Sequence, residues 1–288
     1  MNSAPYPIIF ALDALTGALF LLTAIGVVGT RQVLASLQLF VVQSLLLALS
    51  AVLLGIALGS VHLLAVAAIT IATKTLLIPW LLRRTVSSEV YRTREVERVL
   101  NIPSSLLVAA ALVVVAYVVA NPLLRAVAVP FAEINLPLGL AAMFLGVFTV
   151  AVRREAVPQL LGLLAIENGV FFTGVAIVPS LPVIGELAAA VDVPVITLVV
   201  GLLTRQIHKR LGTTAVGHLA ALRALVLLLV SVVGFTAALF SWGYIRHRTE
   251  QGGGRREQHY YGLYNLFVMS MLATPVLANV ALSGSRSS

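Results

Sequence analysis

The chain has 288 residues, of which 60% are hydrophobic and only 10% are charged, with a formal net charge of +8 and no cysteine. Soluble domains carry roughly 25% charged residues, so this composition excludes a soluble enzyme. The basic residues lie at the ends of apolar segments rather than in one cluster, which argues against nucleic-acid binding. The lack of cysteine excludes disulfides and cysteine-ligated iron–sulfur or nickel–iron centres in this chain.

Apolar segments recur along nearly the whole chain, and segments of about 20 residues are long enough to cross a membrane as helices. The predicted membrane-spanning segments are residues 7–28, 33–58, 62–82, 102–124, 136–152, 157–178, 186–204, 222–242 and 261–281. The N-terminal MNSAPYP lacks the basic region of a secretory signal, so the first segment is predicted to be retained. The fold class expected is therefore an all-α polytopic membrane protein with about nine transmembrane helices.

Basic residues predict the orientation of these segments. They cluster in alternate loops, at Arg31, Arg83 and Arg84, Arg153 and Arg154, and Arg205. Because loops rich in lysine and arginine stay in the cytoplasm, this face should be cytoplasmic and the N-terminus outside. The last hairpin departs from the rule, since its loop RHRTEQGGGRREQH would lie outside with four arginines.

Two acidic residues, Glu167 and Asp192, lie inside apolar segments. Each is thirteen residues from the nearest basic boundary, at Arg154 (167 − 154) and Arg205 (205 − 192). On consecutive antiparallel helices, both carboxyl groups would lie roughly 20 Å from one membrane face, at about 1.5 Å per residue. A carboxylate at that depth is costly unless it faces a partner or water, so the pair suggests proton or cation handling.

Each acid also has a structural interpretation. Glu167 could be a permanently protonated side chain that is hydrogen-bonded to a neighbouring helix. Asp192 precedes Pro194, which removes a backbone hydrogen bond and can recruit water to a broken helix. It could equally lie beside an ordinary proline kink and reach polar solvent.

Three further charged residues are candidates for a proton path. Lys74 lies nine residues before Arg83 (83 − 74). It could pair with an acid from another helix, or its long side chain could reach the cytoplasmic headgroups. Asp13 is expected to be interfacial or to take part in helix packing, and Glu186 is expected to lie near the outer surface. The histidines lack the spacing of metal ligands, and no metal, cofactor-binding or catalytic residue is predicted.

Residues 136–210 resemble the three-helix subunit K (4L) of respiratory complex I and its relative in multisubunit cation/proton antiporters. The similar elements are a first helix that ends in VRRE, a second with AIENGVFF, and a third with LAAAVD before TRQIHKR. In that family, the second and third helices each carry a carboxylate in the proton path. The resemblance implies that Glu167 and Asp192 take these two positions. Asp192 is a departure from the family, which usually has a glutamate at the second position.

A longer stretch, residues 1–224, resembles hydrogenase-4 component E through KTLLIPWLLRR and the closing RLGTTAVGHLAAL. Members of that family are membrane subunits of formate hydrogenlyase-like and other group 4 nickel–iron hydrogenases. The rest of the chain, FSWGYIRHR and HYYGLYNLFVMSMLATPVLANVAL, resembles part of an antiporter-like large subunit. The expected organisation is an N-terminal four-helix region (1–135), a subunit K-like module (136–224) and a C-terminal hairpin (225–288).

The resemblance implies a non-catalytic membrane subunit of a complex I-related oxidoreductase in a prokaryotic inner membrane. Nickel–iron and iron–sulfur centres are expected in peripheral partner subunits, beside antiporter-like subunits and a membrane anchor subunit. One alternative is a subunit of a cation/proton antiporter without a redox partner. Another is a purely structural membrane anchor whose acids are fixed in packing.

Overall fold

The computed structural model of the protein describes residues 7–85, 101–124, 132–153 and 155–177. These residues form six helical segments. The segments are α1 (Pro7–Gly29), α2 (Val33–Leu58), α3 (Val61–Thr70, Ile71–Leu77 and Ile78–Thr85), α4 (Ile102–Leu124), α5 (Ala132–Val152) and α6 (Ala156–Ile177). All six predicted segments in this part of the chain are helices, and the bounds of α2 and α4 agree with the prediction. The predicted segments 186–204, 222–242 and 261–281 lie outside the described residues.

Five helices of the described part are long and apolar enough to cross a membrane, namely α1 to α5. Helix α6 has 22 residues but is not among the five. Its polar residues Gln159, Glu167 and Asn168 make it less apolar than its neighbours. The described residues therefore indicate a multi-pass helical membrane protein in which α6 carries an unusual polar content.

Helix α1 shows how the bundle is arranged relative to its surroundings. Its exposed large side chains are all apolar and recur every three or four residues, at Ile8, Leu12, Leu15, Leu19 and Leu22. Its buried face includes the polar residues Asp13 and Thr16. An apolar outer stripe with polar groups turned inward is the pattern that a lipid environment favours.

Helix α5 lies at the centre of the described bundle, with contacts to α1, α4 and α6. In its most apolar window 78% of the residues are buried, whereas the corresponding share for α4 is 17%. Helix α2 contacts α1, α3 and α6. The two inner helices α2 and α5 thus each contact both α1 and α6. The polar side chains described below lie at contacts between these helices.

The ends of the helices follow ordinary capping chemistry. The backbone N–H of Ser104 donates to Oδ1 of Asn101 at 3.0 Å, which caps the start of α4. Helix α2 ends at Gly59, whose φ of 62° lies in the left-handed region that glycine adopts without steric cost. The N–H of Ser60 then donates to the carbonyl of Gly55 at 2.9 Å, as in a Schellman motif. This tight cap allows α3 to begin directly at Val61.

Candidate functional site

A buried ion pair joins α3 to α6. Nζ of Lys74 lies 3.1 Å from Oε1 of Glu167, and the two side chains are only 2% and 15% exposed. The Lys74 ammonium also lies 4.3 Å from the ring centroid of Phe171, one helical turn beyond Glu167. The face of an aromatic ring attracts a cation, so the lysine has two favourable partners inside the bundle. The sequence allowed Lys74 either to pair with an acid or to reach the headgroups, and the structure shows the pairing with an acid.

The direction of the helices explains why these side chains meet. Every Cα–Cβ bond of an α-helix tilts toward the N-terminus of its helix. Helix α3 ends at the basic Arg83 and Arg84, so Lys74 leans away from that end. Helix α6 runs in the opposite sense from its start near Arg153, so Glu167 leans toward that end. The two side chains therefore lean toward each other. To reach the headgroups at the basic end of α3, the Lys74 side chain would have to reverse its direction.

Lys74 lies within a π-helical turn, Ile71–Leu77, that interrupts α3. The physical cause is Pro79, which follows this turn. A proline has no N–H to donate, and its ring collides with the carbonyl four residues earlier, here that of Thr75. The backbone widens instead, and the N–H of Ile78 donates to the carbonyl of Thr73, five residues earlier. Such π turns inside α-helices occur frequently at functional sites.

Close packing of α6 against α5 fixes the direction of Glu167. Two glycines seven residues apart on α5 face two glycines seven residues apart on α6, namely Gly139 and Gly146, and Gly162 and Gly169. A Cβ on Gly169 would stand 2.6 Å from the backbone nitrogen of Met143, so the two backbones approach too closely for any side chain there. Because Gly162, Ile166 and Gly169 share the face toward α5, Glu167 and Asn168 fall on the flanks, toward α3 and α2.

Asn168 belongs to a second group of buried polar side chains, here termed the amide cluster (Gln43, Ser44 and Asn168). Nδ2 of Asn168 donates to Oγ of Ser44 at 3.0 Å and to Oε1 of Gln43 at 3.4 Å. All three residues are fully buried. The amide cluster therefore joins α6 to α2. It is next to the ion pair along the chain, since Asn168 directly follows Glu167.

Asp13 forms a third buried group, here termed the Asp13 cluster (Asp13, Ser50 and Asn135). Its carboxylate accepts hydrogen bonds from Oγ of Ser50 and from Nδ2 of Asn135, both at 2.5 Å. Asp13 is only 1% exposed. Of the two placements expected for this residue, the structure shows helix packing, between α1, α2 and α5.

Arg153 ties the basic ends of α5 and α1 together. Its Nη2 donates to the carbonyls of Val27 and Thr30 at 2.8 and 2.6 Å. The last carbonyls of a helix lack partners within the helix and carry partial negative charge, which a cation stabilises. The contact places the C-terminal ends of α1 and α5 at the same end of the bundle, as the alternation of basic loops predicts. The sequence analysis treated Arg153 only as a marker of a membrane face, whereas the structure buries it.

The sequence interpretation missed the amide cluster and the partners of Asp13. A signal was present, because Gln43, Ser44 and Ser50 interrupt the apolar residues of α2, and Asn135 and Asn168 do so in α5 and α6. Buried polar groups in helices that face lipid require partners inside the bundle, which identifies such residues as contacts between helices. Asp192 and Glu186 lie outside the described residues, and their roles stay predictions.

Chemically, the described site can hold and exchange charge. A lysine–carboxylate pair in a low-dielectric interior is stable only while both partners are present, since each charge alone is costly there. The described residues contain no group of three or more His, Asp or Glu side chains that could hold a metal ion. Carboxylates bind protons, whereas amides and hydroxyls donate and accept hydrogen bonds and so can hold water.

Comparison with known proteins gives one informative relative. No protein-family model matches the chain, and no solved structure does. The Mycobacterium tuberculosis (strain ATCC 25618 / H37Rv) protein "Uncharacterized protein Rv0085" is 31% identical over 224 residues, which are 77% of this chain and 100% of that protein. Similarity of this extent over the entire length of the relative establishes common descent. The chain therefore belongs to the family of the mycobacterial protein Rv0085.

Proposed function

We propose that this protein is an integral membrane subunit of a hydrogenase-4 or formate hydrogenlyase-type oxidoreductase related to complex I. In this proposal, Glu167 and Lys74 form a charge-exchanging station on a path for protons or other cations. The observation that carries the proposal is the ion pair of 3.1 Å between two helices of a lipid-facing bundle. An intramembrane ionisable pair is rare and usually marks an ion pathway.

The pair supplies a simple way to bind and release a proton. With Nζ of Lys74 close by, the charged form of Glu167 is stabilised and the carboxylate keeps no proton. If a movement of a partner subunit separates the two groups, the carboxylate loses its counter-ion and binds a proton instead. Return of the lysine releases that proton. Asp192 would act as the next station, as the resemblance to subunit K implies.

The redox reaction would take place in partner subunits. This chain has no cysteine, so cysteine-ligated nickel–iron and iron–sulfur centres must belong to peripheral partners. Antiporter-like subunits and a membrane anchor subunit would complete the membrane part. The location proposed is a prokaryotic inner membrane, with the N-terminus outside.

Purification of the tagged chain in mild detergent tests the assignment to a complex. We expect a nickel–iron subunit, iron–sulfur proteins and an antiporter-like subunit to be identified by mass spectrometry, together with nickel and iron in metal analysis. Recovery of antiporter-type membrane subunits without metal would overturn the hydrogenase assignment and favour a cation/proton antiporter. Recovery of neither class would leave the assignment without support.

Replacement of Glu167 by glutamine tests the ion path itself. The Glu167→Gln chain should be less stable than the native one, because Lys74 loses its counter-ion. We still expect the complex to assemble and keep its redox activity, because glutamine matches the shape of glutamate, its side-chain oxygen can accept a hydrogen bond from Lys74, and the ring of Phe171 still faces the ammonium. Proton translocation into proteoliposomes should be lost, because an amide binds no proton near neutral pH. The matched control is Glu133→Gln, the same change at an exposed acid in the first turn of α5. Full translocation by the Glu167→Gln complex would favour a structural anchor.

A further inference from the structure

Among the described residues, one buried donor and one buried acceptor of the amide cluster have no hydrogen-bond partner. These are Nε2 of Gln43 and Oδ1 of Asn168. Both residues are fully buried. Turning both amides around exchanges the roles of the two groups but leaves one donor and one acceptor over. A buried water that accepts from one amide and donates to the other satisfies both, and buried waters usually occupy such positions.

The Asp13 cluster has a similar unsatisfied atom. Oδ1 of Asn135 is buried and has no hydrogen-bond partner in the described part of the chain, while Nδ2 of the same side chain donates to the Asp13 carboxylate. Asn135 is only 2% exposed. The groups that face Asp13 from α2 and α5 are the neutral Ser50 and Asn135, and the described residues place no cation in an ion pair with it. The nearest charged residue on α5 is Glu133, which is exposed.

The two clusters are steps of one polar column on α2. Gln43 and Ser50 are seven residues apart (50 − 43), about two helical turns, so they lie on the same side of the helix, and both are buried. At about 1.5 Å per residue the step is roughly 10 Å, a span that three waters cover with about four hydrogen bonds of about 2.8 Å each. Thr16, buried on α1 one turn from Asp13, places another hydroxyl along this step. The column therefore rises from the ion pair toward the end of the bundle opposite the arginines.

We propose that Asp13 is a second proton-binding carboxyl group, connected to the Lys74–Glu167 pair by water held in the amide cluster. This proposal rests on the proposed function of Glu167 and extends it to α1, α2 and α5. A proton leaves the carboxyl group of Glu167, which becomes the carboxylate paired with Lys74. The proton arrives at the carboxylate of Asp13, which becomes the neutral acid, so charge and protons balance.

Infrared difference spectroscopy of the purified chain in liposomes tests proton binding at Asp13 without any partner subunit. Spectra between acidic and alkaline buffer should contain a protonated-carboxyl C=O band that disappears in Asp13→Asn. The conservative variant Asp13→Glu should keep a band at a shifted frequency, which also shows that the chain still folds. A carboxyl region identical in the native chain and Asp13→Asn would overturn the proposal, because Asp13 would then hold one protonation state.

Proton translocation by the intact complex tests the connection. Asp13→Asn and Gln43→Met should both lose translocation while the redox activity of the partner subunits is retained. The control is Thr23→Val, since the Thr23 hydroxyl donates to the carbonyl of Phe20 in its own helix and Thr23 lies seven residues beyond Thr16 (23 − 16), toward the basic end of α1. Normal translocation in either test variant would overturn the connection. Loss in Glu167→Gln together with normal translocation in Asp13→Asn would keep the proposed function and reject only this extension.

Discussion

Replacing Lys74 with methionine is expected to lower the free energy of unfolding by about 3–5 kcal/mol. The methionine fills a similar volume, but the Glu167 carboxylate loses the ammonium 3.1 Å away and stays in a mostly buried position. The carboxylate must then stay charged without a counter-ion or bind a proton, and either state is less favourable than the native ion pair. The change should appear as a lower midpoint of thermal unfolding in detergent, followed by the loss of the monodisperse peak in size-exclusion chromatography.

The double variant Lys74→Met with Glu167→Gln is the control for this effect. Removing both charges leaves no unpaired ion, so the double variant should recover most of the stability lost by Lys74→Met. A double variant as unstable as the sum of its two single changes would contradict a direct ion pair. The ring of Phe171, 4.3 Å from the ammonium, is present in every variant and therefore does not affect the comparison.

Replacing Gly169 with alanine is expected to separate α5 from α6 and to destabilise the bundle by about 1–3 kcal/mol. The new Cβ would stand 2.6 Å from the backbone nitrogen of Met143 and 2.9 Å from its Cα. Backbone atoms cannot move aside as a flexible side chain can, so the whole helix must shift. Small residues at membrane helix contacts permit this close approach, and larger ones abolish it. Thermal unfolding in detergent measures the loss.

The matched control is Gly29→Ala, the same chemical change near the end of α1. Its new Cβ would have only Cδ2 of Leu106 nearby, at 3.7 Å, which is an ordinary contact. Both variants gain similar helix propensity, so the difference between them isolates the packing at Gly169. Equal stability of the two variants would contradict the close approach of α5 and α6.

The helices of the described part were largely predictable because hydrophobic length dominates in a membrane. The bounds of α2 follow from the polar links on either side, and those of α4 from Asn101 and Pro103 at its start. The start of α5 is less clear: the sequence predicts residue 136, whereas the helix begins at Ala132. The four additional residues include Asn135, whose Nδ2 donates to the Asp13 carboxylate inside the bundle.

The sequence predicts which charged residues belong to the candidate site, but not which of them contact each other. The depth of Glu167 and Lys74 follows from counting residues, yet depth alone does not tell which helices are neighbours. The tilt of Cβ toward the helix N-terminus would have favoured pairing of Lys74 over its extension to the headgroups. The glycines at intervals of seven residues would have indicated that α5 and α6 touch. The π turn was not predictable by hydrophobic periodicity, which assumes a regular helix.

The π turn in α3 has a consequence for comparing the chain with its relatives. A π turn contains one residue more than the α turn it replaces, so it acts as a one-residue insertion that rotates everything after it. The buried Leu63 and Ile78 lie before and after this turn. Deletion of one position between Ile71 and Leu77 would close the turn to a regular α-helix, which keeps both of them buried but changes the direction of the residues inside the turn. An alignment of family members should therefore allow a single-residue gap in this segment. Relatives with that gap are the ones in which a lysine at this position would have lost its acidic partner.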